Sequence, residues 1–206
     1  MTSSPKKQSD SEVSEKNSNC SEHLQDINFT SKCHRTDLQL KVKDTDLYVP
    51  KSHLAMVSPV FRRMFESDFK EKDPAVLPLP DKNYEDVLTF LKCTHPGALL
   101  KVTYDIVPKM LPLAHEYQVK WLLDDCASAM IMMMDASKCS KTFQQSWRSM
   151  ASSNLYGLNS VVETFIERFS PICYEFYKDA SEFSQISIGV RYKIVCRRLA
   201  FKDKFE

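Results

Sequence analysis

From Asp37 onward the chain alternates apolar and polar side chains, Leu38, Leu40 and Val42 against Gln39, Lys41 and Lys43. A period of two marks a strand with one buried face. Asp44-Thr45-Asp46 offers turn chemistry, and Leu47-Tyr48-Val49 resumes as a second strand. Pro50 then opens a short helix carrying Leu54, Ala55 and Val57. Ser58-Pro59 is a second start signal, a hydroxyl cap followed by a proline whose missing N–H does no harm there. The helix that follows places Val60, Phe61, Met64 and Phe65 on one face. Residues Lys70 to Pro74 break the pattern, and Val76-Leu77-Pro78-Leu79 reads as a short strand that its proline confines to an edge or a strand end.

The remainder is helical in pattern. Asp81 or Asn83 caps a helix bearing Val87, Leu88, Phe90 and Leu91, which stops near Pro96-Gly97. If Asp105 caps the next helix, Pro108 falls in its first turn and Pro112 inside it, where a kink is expected. A further helix runs from Lys120 through Leu122, Cys126 and Met130. Phe143, Trp147, Met150 and Ala151 form one later stripe, and Val161, Val162, Phe165, Ile166 and Phe169 another, ending at Ser170-Pro171. Ile194, Val195, Arg198 and Leu199 predict a last helix. Residues 1–30 are rich in Ser, Lys, Glu, Asn and Asp, and such a segment buries too little to offset its ordering entropy. The expected organisation is a disordered polar tail over 1–30, an α+β domain over 31–134 and a helical extension over 135–206.

Composition narrows the function. Lys plus Arg number 28 against 27 Asp plus Glu, so no broad field exists to hold a nucleic-acid backbone or an anionic membrane. The basic side chains of the C-terminal helix fit a solvated face. The three glycines, at 97, 157 and 189, assemble no phosphate-cradling loop, and no cofactor is expected. Seven cysteines without a Cys-x-x-Cys pair suit free thiols in a reducing compartment. No apolar run approaches the roughly 20 residues of a membrane span, and the N-terminus lacks the apolar core of a signal peptide. The expectation is a soluble intracellular protein, cytoplasmic, nuclear or both.

The run DLQLKVKDTDLYVPKSHLAMVSPVFRRMFESDFKEK resembles the opening half of the BTB/POZ domain. LPLPDKNYEDVLTFLKCTHP, followed by LPLAHEYQVKWLLDDCASAM, resembles its second half. The resemblance implies an α+β fold, a small, mostly three-stranded sheet packed against a helical cluster, and the helices after it resemble a BACK-type extension. It also implies an interaction module rather than an enzyme. Its partners would be a cullin-3 scaffold and an undefined target protein, with homodimerisation a further property of the family. Phe69-Lys70-Glu71 is similar to the hydrophobic-x-Glu motif of cullin-binding members, and Met64, Phe65, His95 and Tyr117 join Phe69 and Glu71 as candidate cullin contacts. Asp37 and Lys51 match the two sides of a structural charged pocket. Pro50 stands where the family commonly has His, and His95 where it commonly has Tyr. The family's dimer helix would fall in SEHLQDINFTSKCHR, whose apolar anchors are Leu24, Ile27 and Phe29. The rival reading is an oligomerisation scaffold for signalling or transcriptional complexes that binds no cullin.

Other chemistry finds little support. Cys20, His23, Cys33 and His34 are ligand types for zinc, but their spacing matches no standard site. His53, His95 and His115 lie in helical segments that packing already explains, and no nucleophile motif accompanies them. The methionines at 130 and 132–134 fit the filling of a helix interface.

Overall fold

The computed structural model describes residues 29–32, 36–66, 75–97, 100–136, 140–172 and 181–202. Strand β1 (Leu38–Val42) pairs antiparallel with β2 (Thr45–Val49), and β3 (Val76–Pro78) pairs parallel with β1 on its other side. The order β2-β1-β3 leaves β3 at an edge, the position its proline permits. Leu38, Leu40, Val42, Leu47 and Val49 are all buried, so the alternation along both strands points one face inward. The hairpin turn falls on Lys43-Asp44, one position earlier than the turn chemistry of Asp44–Asp46 suggests, and Thr45 and Asp46 already belong to β2. Register explains the shift: Val42 pairs with Thr45, so only two residues remain for the loop. Lys43 there takes a φ of 54°.

Helices α1 (Lys51–Val57) and α2 (Pro59–Glu66) follow the hairpin, and α3 (Tyr84–Thr94) follows β3. Asn83, not Asp81, caps α3, its side chain accepting from the Glu85 N–H at 2.9 Å. The expected cap at Asp105 does not form. A 3₁₀ turn over Tyr104–Ile106 precedes α4 (Val107–Glu116), whose N-cap is Ile106 without a side-chain bond. Pro108 nonetheless lies in the first turn, and Pro112 lies inside the helix on its exposed side. Helix α4 ends with Gln118 at φ 54°. The Val119 N–H reaches the Ala114 carbonyl at 2.8 Å, and the Gln118 N–H that of His115 at 3.2 Å. These bonds form a Schellman closure with glutamine where glycine is usual.

Helix α5 (Lys120–Ala136) carries the core onward into α6 (Ser140–Leu155), α7 (Asn159–Phe169), α8 (Ser181–Gln185) and α9 (Ile188–Lys202). The boundary expected at 134 thus falls in the last turn of α5. Buried Met130 and Met134 face inward while Met132 is exposed, in keeping with an interface-filling role. Trp147 of α6 is buried against three rings: Phe165 at 4.6 Å, Phe183 at 5.5 Å and Phe169 at 5.7 Å, all edge-on. Edge-to-face packing is the arrangement aromatic quadrupoles favour. The Tyr104 hydroxyl donates to the Gln145 carbonyl at 3.2 Å and meets the Ser149 hydroxyl at 3.1 Å, tying the first block to the extension. Phe29, at the end of the stretch expected to be tail, is buried, and its carbonyl accepts from the Tyr48 N–H at 2.7 Å.

Candidate functional site, the α2 face

Three features fix α2 in place. Ser58 is fully buried, and its hydroxyl accepts from the Phe61 N–H at 3.1 Å, the N-cap bond expected of a serine before Pro59. The same hydroxyl donates to the Tyr117 carbonyl at 2.6 Å, joining the start of α2 to the end of α4. Arg62 Nε donates to the Ala55 carbonyl at 3.0 Å, bracing α2 against α1. Beneath the helix, Phe61 stacks on Tyr117 with ring centroids 4.4 Å apart, and Phe90 lies 5.7 Å from Tyr117. Above, Phe65 stacks on Phe61 at 6.1 Å. An aromatic ladder therefore rises from the core to Phe65.

Val60, Met64 and Phe65 are half-buried, so the outer rungs keep part of their apolar surface in water. Phe69 and Glu71 follow α2 directly in sequence but lie outside the described residues. Tyr117 differs from its expected place as a surface contact. It is buried, and burial raises its phenol pKa, with Glu116 adding to the effect. Its ring, stacked on Phe61, supports α2 from below. His95 closes α3, half-buried, with its ring 6.1 Å from Phe29 and 5.7 Å from His53. Asp37 and Lys51 do meet. The exposed carboxylate of Asp37 accepts from the Lys51 backbone N–H at 2.7 Å, so it satisfies the first turn of α1 in place of Pro50, which has no side-chain acceptor.

The two buried thiols of the domain are held in their protonated form. Cys93 is pushed up to about 11, first by burial and then by Asp125. Cys126 is pushed up to about 12 by burial, with Cys93 and Asp125 adding to it. Such thiols stay protonated and are poor nucleophiles. Among the described residues no hydrogen bond joins a thiol to an imidazole, and no three His, Cys, Asp or Glu side chains gather as a metal site. Buried His53 brings Nε2 to 3.4 Å from Thr94 Oγ1, while its Nδ1 has no partner. Burial, then His95, lowers its pKa to about 4. Sequence pattern gave no sign of this histidine pair, because His53 of α1 and His95 at the end of α3 are distant in sequence and meet only through packing.

Over residues 26–133 the sequence matches the BTB/POZ domain. The chain belongs to the BTB/POZ family. Its relatives include BTB and MATH domain-containing protein 38 of Caenorhabditis elegans, 30% identical over 105 residues, or 51% of this chain and 27% of that protein. Human Kelch-like protein 28 is 26% identical over 117 residues, 56% of this chain and 20% of its own length. Human Kelch repeat and BTB domain-containing protein 3 is 25% identical over 160 residues, 76% of this chain and 24% of its own. The chain thus spans only about a fifth to a quarter of these relatives. The BTB/POZ domain is a protein-interaction module, and the three-stranded mixed sheet with its helical cluster is its α+β fold. Among the described residues no helix is long and apolar enough to cross a membrane.

Proposed function

We propose that this BTB/POZ chain is an adaptor that bridges a target protein to a cullin-3 ubiquitin ligase inside the cell. The supporting observation is the state of α2. Its inner side is pinned by Ser58, Phe61 and Tyr117, while Met64 and Phe65, half-buried, precede Phe69-Lys70-Glu71 by a few residues. A rigid helix with half-exposed apolar anchors and a neighbouring carboxylate suits docking, because apolar anchors supply affinity and charge supplies orientation. The contact set under this reading is Met64, Phe65, Phe69 and Glu71, with Tyr117 as its support. The adaptor supplies proximity and performs no covalent step itself.

Affinity capture with the N-terminal region of cullin-3 tests the proposal. Wild type is expected to bind, and Phe69→Ala combined with Glu71→Ala to weaken binding by ~tenfold or more. Failure of the wild type to bind, or equal binding by the double variant, contradicts the adaptor reading. In that event a chain that self-associates in light scattering supports the scaffold reading.

A further inference from the structure

Helix α9 carries apolar side chains on two faces. Val190 and Ile194 are buried against the body of the protein. Ile188, Tyr192, Val195 and Leu199 are not: they are 75%, 69%, 39% and 56% exposed. Of the residues that predicted this helix, Ile194 thus faces inward while Val195 and Leu199 face water. These four side chains line a groove of about 710 Å³ together with Phe183, Arg191 and Arg198.

The exposed set recurs at intervals of four, three and four residues, the spacing of a coiled-coil seam. With Tyr192 and Leu199 at a and Ile188 and Val195 at d, Arg191 and Arg198 both occupy g, and Gly189 and Cys196 occupy e. Lys193 and Arg197 turn away to pair with Glu163 and Glu167 of α7, each at 3.1 Å. The two g-position arginines have different neighbours. Arg191 lies over the Phe183 ring at 5.8 Å, and its Nε has no hydrogen-bond partner. Arg198 donates to the carbonyls of Pro171 and Ile172. Among the described residues neither guanidinium pairs with a carboxylate.

We infer that this face of α9 docks an acidic amphipathic helix from another protein, its apolar seam on Ile188, Tyr192, Val195 and Leu199 and its flanking carboxylates at Arg191 and Arg198. A second copy of the chain fits less well. Parallel pairing sets the g arginines against Gly189 and Cys196, and antiparallel pairing sets arginine against arginine, so neither supplies the missing carboxylates. The inference is independent of cullin binding, because it concerns a different surface and needs no contact on α2.

The test is fluorescence anisotropy of the full chain with a labelled synthetic helix about three heptads long, Leu at a and d and Glu at e and g. A control peptide replaces every Glu by Lys. The Glu peptide is expected to bind, with affinity falling as salt rises from about 50 to about 300 mM. Leu199→Asp and Ile188→Asp, at exposed positions, are each expected to weaken binding by ~tenfold with an unchanged melting temperature, and Arg191→Glu to weaken it several-fold. No binding of the Glu peptide, equal binding of the Lys peptide, or indifference to Leu199→Asp overturns the inference. So does a wild type that is dimeric in light scattering and becomes monomeric on Leu199→Asp, since a second copy would then be the occupant.

Discussion

Ser58 shows how much one side chain can organise. It is buried and uses its hydroxyl twice, accepting from Phe61 and donating to Tyr117. Ser58→Ala leaves a helix-start N–H and a carbonyl without that partner, and should cost about 2 kcal/mol in urea unfolding. A second position should respond in the opposite direction. Gln118 holds a left-handed conformation at the end of α4, and Gln118→Gly should raise stability by about 0.5 kcal/mol after the entropy of the freer unfolded chain is offset. His53 sets a pH dependence. Its folded pKa of about 4 lies below the ordinary histidine value of 6.5, so the unfolded chain binds more protons between those values. Stability is then fully present above about 6.5 and is lost as pH falls toward 4. His53→Leu should flatten that slope in chemical unfolding measured across the window, leaving the contribution of His95, whose pKa burial also lowers.

At the scale of elements, legibility followed the range of the interaction. The strands, the edge position of β3, the Ser58-Pro59 start and the stripe of α7 could be read because alternation, caps and helical spacing are local signals. Asp105 misled because the 3₁₀ turn before α4 consumes the residues a direct cap would need. Phe29 was hidden in a polar stretch, and only the packing of its ring beside His95 gives it a place in the core. Tyr117 was legible as an aromatic near the site but not as a buried support, because its stacking on Phe61 spans distant helices. For α9, apolar spacing announced the helix, yet spacing alone cannot say which of two apolar faces is covered. Trp147→Ala removes a ring packed against Phe165, Phe169 and Phe183, and should destabilise the chain by about 3 to 5 kcal/mol in denaturant unfolding.

For the whole molecule, one continuous core passes from the sheet through α5 into the extension, while α9 leaves a row of large apolar side chains outward and α2 keeps Met64 and Phe65 half-buried. The proposed adaptor role needs two partner surfaces, and α2 and α9 are the two proposed for them. The most direct measurement is hydrogen exchange of the full chain with and without the N-terminal region of cullin-3. The account predicts slowed exchange in α2 and in residues 67–74, with α9 unchanged. Slowing confined to α9, or none in α2 and the residues after it, would contradict it.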